Sequence, residues 1–509
     1  MNDSKLDLLL IHPGGRDKIY QELGEDLTAI EPPMWCGIIA NYIRRKGFSV
    51  RIIDSEAEGW GPDTVSDKVA EASPVLVAMI VFGHQPSAST QMMIGAGECC
   101  SMIKEKDPDQ KIIIVGGHVA ALPERTVREE SVDFACSGEG PITIRQLIDL
   151  LKSETPEDFS RVEGLVWRDG DEIRTNPPAA LIRDLDAEMP GSAWDLLPME
   201  KYRAHNWQCF GDLSRRMPYA SVYTTLGCPY KCSFCCINAP FGSNGYRMRS
   251  PESVVDEIEH LYREYGVKTF KIVDEMFVLN ERHVSGVCNL LIERGFSDDI
   301  NIWAYARIDT VKDNMLEMLR RAGIRWLALG IESGSKHVRD GADKSLKTDD
   351  IVRIVREIQK VGINVIGNYI FGLPDDDIKT MSETLELAKE LNCEFANFYS
   401  AMAYPGSQLY KMAEENGWEL PETWGGYSQH AYESKPLPTE KVSAAEVLKF
   451  RDEAFDAYFT TPRYLDMVAQ RFGWETREHV EAMSKHKLRR KIVEEMDKKG
   501  QDAAKPSAA

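Results

Sequence analysis

No apolar run in this 509-residue chain is long enough to cross a bilayer. The longest covers residues 75–82, where about 20 residues would be needed. The amino terminus reads MNDSKLDLLL, with acidic residues where a secretory signal carries positive charge. No Gly-x-Gly-x-x-Gly opens the first helical stretch, which argues against a dinucleotide. Basic residues are in deficit, 61 Lys and Arg against 81 Asp and Glu, for a net charge of −20. Such a surface repels phosphate backbones, so no nucleic-acid partner is expected. The basic cluster His486-Lys-Leu-Arg-Arg-Lys491 reads as the solvated face of a late helix. The eleven cysteines form no regular framework, and none follows Cys393. A reducing, cytoplasmic setting without a membrane span follows. With 43% hydrophobic and 28% charged residues, the chain reads as globular, with two or three domains.

What is there centres on Cys228-Pro-Tyr-Lys-Cys232-Ser-Phe-Cys235, after a strand-like run and the Gly227 turn. Thiolates at these separations converge on one soft metal centre. A structural zinc site or an ordinary cubane takes four ligands, and apart from the adjacent Cys236 no fourth stands nearby. A cubane held by three cysteines leaves one iron open. A partly occupied zinc site or three buried thiols are the plainer alternatives. Cys236 also permits a C-x3-C-x3-C register and is read as a free neighbouring thiol.

C-x3-C-x2-C with an aromatic before the last cysteine resembles the radical S-adenosylmethionine (SAM) superfamily. The resemblance implies a [4Fe-4S] cluster on Cys228, Cys232 and Cys235 whose open iron chelates SAM.

Residues 1–152 alternate five short apolar runs (6–12, 48–53, 75–82, 111–115, 133–137) with helical stretches near 33–45, 62–72, 90–105, 122–130 and 141–152. This predicts an α/β, doubly wound Rossmann-like parallel sheet, with ligands at the carboxyl ends of its strands. The loops there contain His12-Pro13-Gly14-Gly15, residues 82–87 ending in Ser87, Gly116-Gly117-His118, and Ser137-Gly138-Glu139-Gly140. With Pro32-Pro33, VGGHVAALPE and SGEGP they resemble the cobalamin-binding domain that precedes many radical SAM domains. The resemblance implies cobalamin contacts from His12, Pro13, Gly14, Ser87, Gly116, Gly117, Gly138 and Glu139. One departure concerns the cobalt-ligating D-x-H-x-x-G, where Leu10 replaces the carboxylate. His12 is therefore expected to pack on the ligand, as are His84 and His118. A first domain that holds no cofactor and only grips substrate is the alternative.

Residues 153–218 form a proline-punctuated connector with a hairpin turning at Asp169-Gly170, expected to fix the distance between two domains. From 219 to 415, strand and helix patterns alternate six times, with strands near 220–225, 268–273, 301–305, 325–331, 364–371 and 393–399. Ser250-Pro251 opens the first helix, and Gly266 ends it. An open (β/α)6 partial TIM-type barrel is expected, with chemistry at the carboxyl ends of its strands. By resemblance, Arg307 pairs the SAM carboxylate through its fork, Glu332 and Ser333 meet the ribose, and Phe234 and Gly372 meet the adenine. Asp274 and Glu275 face the SAM amino group or the substrate. Otherwise the carboxylates are strand-end or capping residues, and Arg307 an ion-pair partner of Glu332. Residues 416–496 read as helices, for example 444–459 and 475–496, and 497–509 as a disordered tail. Trp418, Trp424, Tyr427 and Tyr432 either roof a substrate cavity or pack as core.

Together these features describe an enzyme resembling class B radical SAM methyltransferases. SAM cleavage to a 5′-deoxyadenosyl radical, and methylcobalamin as methyl donor to an unactivated carbon of a small molecule, are what the resemblance implies. It also implies an external one-electron reductant of the flavodoxin or ferredoxin type. A cobalamin-dependent cyclase, oxidase or rearrangement enzyme is the runner-up, and a non-catalytic cobalamin or cluster sensor the third reading. Acidity and the lack of a second cluster motif disfavour a sulfur-inserting RNA modifier.

Overall fold

The computed structural model describes residues 5–21, 28–344 and 346–504. Seven strands build the first sheet: β1 (Leu8–His12), β2 (Val50–Asp54), β3 (Leu76–Ile80), β4 (Ile112–Val115), β5 (Phe134–Cys136), β6 (Leu165–Asp169) and β7 (Glu172–Thr175). β3 and β4 are buried along their whole length, because helices cover both faces of a parallel sheet. Alternate residues serve opposite cores. Leu8, Leu10, Ala78 and Ile113 pack with the helix Met34–Arg45, whereas Leu9, Ile11, Val77 and Ile112 pack with the helix Ala88–Lys106. Strand order is β2-β1-β3-β4-β5-β6-β7, parallel through β5. The order reverses between β1 and β3, which opens a crevice at their carboxyl ends. The hairpin expected within the connector instead extends this sheet, β6 pairing antiparallel with β5.

The proline-rich crossing segment docks between the helix Met34–Arg45 and the helix Pro251–Glu264. Ala193 N donates to Gly37 O at 3.0 Å, and Trp194 Nε1 to Glu257 Oε1 at 2.8 Å. The second sheet is all parallel, in the order β15-β14-β13-β12-β11-β8, and open between its edges. Its strands are β8 (Tyr219–Val222), β11 (Thr269–Ile272), β12 (Asn301–Ala306), β13 (Ile324–Glu332), β14 (Asn364–Phe371) and β15 (Phe395–Ser400). A short antiparallel ribbon of β9 (Thr225–Leu226) and β10 (Arg247–Met248) pinches the base of the cysteine loop. Ser250 caps the first barrel helix by accepting from Ser253 N at 3.2 Å, with Pro251 as its first residue. The amino end of the barrel is stopped by Trp207, whose ring centroid lies 5.2 Å from Trp303 and 5.5 Å from Trp326.

Two expectations for the carboxyl-terminal part change. Residues 484–490, expected on a helix, are non-helical, and the last helix is Lys491–Ala504. Residues 497–504, expected as disordered tail, therefore belong to that helix, and 505–509 lie outside the described residues. None of the helices among the described residues is long and apolar enough to cross a membrane.

Gly95 sets how closely the helix Ala88–Lys106 approaches the loop after β1, since a Cβ there would sit 1.9 Å from Gly14 O. Gly95→Ala is expected to destabilise the protein by about 1–3 kcal/mol, read by denaturant unfolding, through displacement of that loop.

Candidate functional site

The carboxyl ends of the two sheets face each other across one cavity of about 700 Å³. His12 at the end of β1, Pro13, Gly14 and Arg16 after it, and residues 82–88 after β3 line it from the first sheet. Cys228, Cys232, Cys235 and Cys236 line it from the barrel, as do inward residues of successive strands. Those alternate as a pleated strand requires: Trp303, Tyr305 and Arg307 on β12 and beyond it, Gly330 and Glu332 on β13, Asn368 on β14, Asn397 and Tyr399 on β15. Polar contacts bridge the halves. Gln85 Nε2 donates to Tyr305 OH at 3.1 Å, and Lys271 Nζ to Glu31 Oε1 at 3.0 Å.

The cysteine loop is held from below. Gly227 (φ +90°) has no room for a side chain, since a Cβ would lie 2.5 Å from Gly245 O. Fully buried Asp274 accepts from Thr224 N at 2.6 Å, from Thr225 Oγ1 at 2.9 Å and from the Thr224 hydroxyl. Among the described residues no three His, Cys, Asp or Glu side chains converge tightly enough to share a single metal ion. The three thiols nevertheless face one cavity and lie close enough to feel one another's charge. Soft donors spread around a common space, not drawn onto one point, fit a multi-iron cluster better than one zinc ion; Cys236, a fourth thiol on the same cavity, follows Cys235 directly. Burial pushes the Cys228 thiol up to about 11 and raises Cys232 and Cys235, so iron coordination has to displace their protons.

Several expected SAM contacts are placed elsewhere. Asp274 is spent on the two threonines, and neither Ser333 nor Gly372 lines the cavity. Ser333 is fully buried, sharing a hydrogen bond with Thr384 Oγ1 at 3.1 Å. Gly372 (φ +80°) lies under the helix Ala444–Phe459, where a Cβ would meet Val447 at 2.5 Å. Arg307 does not pair with Glu332. Its Nε and Nη2 hold Asp309 at 2.9 and 3.0 Å, and Nη1 lies 3.7 Å from Cys232 Sγ. The bidentate edge is thus occupied, leaving Nη1 toward the cavity. Glu332, at φ +64°, pairs with Lys344, and both line the cavity, as do Phe234 and Glu275. Burial raises the Glu275 carboxyl to about 8, and its buried Oε2 has no partner.

In the first sheet, His12, Pro13, Gly14 and Ser87 line the cavity, which fits a large planar ligand at the β1–β3 crevice. A carboxylate stands near His12 on the neighbouring strand, where Asp54 is its register partner, but His12 Nδ1 has no hydrogen-bond partner. Asp54 itself is spoken for by Tyr202 OH at 2.9 Å and Ala57 N at 3.1 Å. Burial keeps the His12 imidazole below its ordinary value, opposed by Asp54. The other four expected contacts lie off the main cavity. Gly116 packs on Val81, and Gly138 lies near Pro240. Gly117 borders a small adjoining pocket shared with Glu275 and Cys236. Glu139 forms an ion pair with Arg247 at 2.6 Å and accepts from Ile182 N at 3.1 Å, so it joins the two halves. His118 is buried against Trp424, and His84 contacts Pro32 O at 2.6 Å and Glu31 at 3.2 Å.

The roof also differs. Trp418, Trp424, Tyr427 and Tyr432 do not line the cavity; Tyr404, Gln429, His430 and Arg451 do. His486 and Lys487, expected on a solvated face, line it too, and Arg490 is buried against Asp452 at 2.8 Å. Sequence reading missed Lys271, Lys344, Glu31, Arg16 and the Asn368–Asn397 pair (2.9 Å). Only Lys271 carried a signal, as a lysine inside the apolar strand TFKI.

Removing the carboxylate in Asp274→Ala leaves the Thr224 amide and the Thr225 hydroxyl without their acceptor, while the Thr224 hydroxyl keeps only His283 Nε2 at 3.0 Å. A loss of about 3 kcal/mol on denaturation is expected, with reduced iron uptake on anaerobic reconstitution. Glu275 binds its proton more tightly folded than unfolded, so its contribution is complete below its unfolded value near 4.5. It is lost as pH rises toward about 8. Thermal melts of the cofactor-free protein from pH 5 to 9 should show Glu275→Gln gaining on the parent as pH rises.

The model for the B12 binding domain matches residues 23–148, and that for the Radical SAM superfamily residues 222–388. The chain is 27% identical over 463 residues to an uncharacterized methyltransferase of Pyrococcus horikoshii, covering 90% of this chain and 94% of that one. It is also 27% identical over 413 residues to an anaerobic magnesium-protoporphyrin IX monomethyl ester cyclase of Cereibacter sphaeroides, covering 79% and 63%. The fold resembles that of a radical S-adenosylmethionine methyltransferase, TsrM, from Kitasatospora setae, solved with cobalamin and a [4Fe-4S] cluster. The TM-score is 0.67 over 90% of each chain, at 18% identity. A radical SAM domain joined to a B12-binding domain makes the chain an enzyme with an iron–sulfur cluster, SAM and cobalamin as cofactors. The chain is a B12-binding-domain-containing member of the radical SAM superfamily.

Proposed function

We propose that this enzyme methylates an unactivated carbon of a small molecule, working in the cytoplasm with an external one-electron reductant of the flavodoxin or ferredoxin type. The observation that carries this reading is the single cavity onto which both the cysteine loop and the loops after β1 and β3 open. When bound, the reduced cluster supplies the electron that splits SAM into methionine and a 5′-deoxyadenosyl radical, and methylcobalamin supplies a methyl group. Cys228, Cys232 and Cys235 would hold the cluster, with Cys236 left free. Phe234, packed beside Ile370 and Leu373, would border the adenine. Arg307 Nη1 and Lys344 offer positive charge to the SAM carboxylate, while Glu332 and Glu275 offer acceptors to its hydroxyls and amino group. A Glu275 carboxyl raised to about 8 also retains a proton near neutrality and can donate. His12, Pro13, Gly14 and Ser87 would border cobalamin. The aromatic stop at Trp207 closes the barrel floor and limits water, which protects a reactive radical from quenching.

A cobalamin-dependent cyclase or other radical outcome is the second reading, favoured by the similarity to the magnesium-protoporphyrin cyclase. One experiment separates them. Anaerobically reconstituted protein is incubated with reductant, a small-molecule extract and SAM carrying a deuterated methyl group. Methyl transfer gives a labelled product together with 5′-deoxyadenosine. Deoxyadenosine with no labelled product would leave the second reading standing instead. Cys232→Ala is expected to lower deoxyadenosine formation at least about 100-fold, and Cys236→Ala to leave it within about twofold.

A further inference from the structure

Arg16 lines the shared cavity, and half of its guanidinium is unused. Its Nη1 meets Glu56 Oε1 at 3.3 Å, whereas Nε and Nη2 are buried without a hydrogen-bond partner. These two nitrogens form one edge, the same edge with which Arg307 grips Asp309 at 2.9 and 3.0 Å. A buried guanidinium edge left open is costly, and it matches the two oxygens of a carboxylate or phosphate. His12 Nδ1, lining the same cavity, is another buried atom without a partner.

The surroundings are balanced in charge, Lys271 and Arg16 standing against the carboxylates of Glu31 and Glu56. Lys271, His84 and His205 line this lobe around Glu31. Against burial, which raises it, His84 and Lys271 hold the Glu31 carboxyl well below the usual range. Burial, opposed by Glu31 and aided by the charges of Lys271, Arg216 and Arg16, holds His205 down to about 4. Against a net charge of −20 and these two carboxylates, what favours an anion here is the fork geometry of the Arg16 edge.

We propose that Arg16 clamps an oxyanion of the substrate, carboxylate or phosphate, through its Nε–Nη2 edge, so that the enzyme acts on an anionic small molecule. This rests on the reading of the cavity as a radical enzyme's active site. The test uses anaerobic, cluster- and cobalamin-loaded protein, titrated calorimetrically with inorganic phosphate and, separately, with succinate. The parent should bind at least one of them, and which one binds separates phosphate from carboxylate. Arg16→Gln should weaken that binding at least about tenfold, and Arg16→Lys, which keeps the charge but not the fork, less so. Cobalamin content, read from the visible spectrum, should stay unchanged in both. Binding of neither anion, or equal binding by parent and Arg16→Gln, overturns the proposal. So does loss of cobalamin in the variants, since the edge would then serve the phosphodiester of the cofactor. Deoxyadenosine formation, assayed in the same samples, reports on the radical reading separately.

Discussion

A buried knot between Arg249 and Glu257 fixes how the two halves of this enzyme stand to one another. Arg249 Nη1 donates to Glu257 Oε2 at 2.5 Å and to Tyr223 O at 2.9 Å, and Nη2 reaches Ser253 O at 3.0 Å and Pro190 O. Glu257 Oε1 in turn accepts from Trp194 Nε1 and from Ser192 N at 2.8 and 2.9 Å. One ion pair therefore ties the crossing segment, the exit of β8, the ribbon strand β10 and the first barrel helix. Both charges are compensated, and every polar atom of the pair except Arg249 Nε is hydrogen-bonded, so the pair holds one geometry. The Glu139–Arg247 pair adds a second tie from the loop after β5. Without such ties two cofactor loops on separate sheets would share no defined space.

Given that alignment, the active-site surface follows from parallel-strand geometry. Every strand of both sheets that feeds the cavity delivers its loop at the carboxyl end, and inward side chains recur every second residue. The barrel therefore presents a column on each strand, from Trp303 through Tyr305 to Arg307 on one and from Asn397 to Tyr399 on another. The first sheet contributes the end of β1, the loops after β1 and β3 and the first turns of the helices behind them, because its faces are covered by helices. Chemistry is concentrated where the two kinds of surface meet.

Charge in the cavity is arranged in pairs with deliberate remainders. Arg307 is tied by Asp309, Lys344 by Glu332 and Lys271 by Glu31, so most ionic capacity is already balanced. What stays without a partner is small and specific: the Arg16 edge and the Glu275 carboxyl oxygen. Groups held in place by a partner on one side and open on the other are preorganised for a ligand.

Local pattern alone determined much of this protein. Period-two and period-3.6 apolar repeats marked the parallel strands of both sheets and the main helices of the first to within a few residues, but not that the β6–β7 hairpin joins the first sheet, and the cysteine spacing marked the cluster loop. Sequence reading failed where neighbours along the chain say nothing about neighbours in space. Asp274 and Glu275 are adjacent, yet one is turned into the Thr224–Thr225 turn and the other into the cavity, as alternation across a strand end demands. Glu139 looked like a ligand contact because its loop has the right glycines, but Arg247, over a hundred residues later, claims it. Asp54 stands near His12 only through the β1–β2 register, and residues 486–487 reach the cavity only because the last helices fold back over the barrel. Which elements form is settled by short-range sterics and burial; which polar groups remain free for chemistry is settled by partners that only the packed chain brings together.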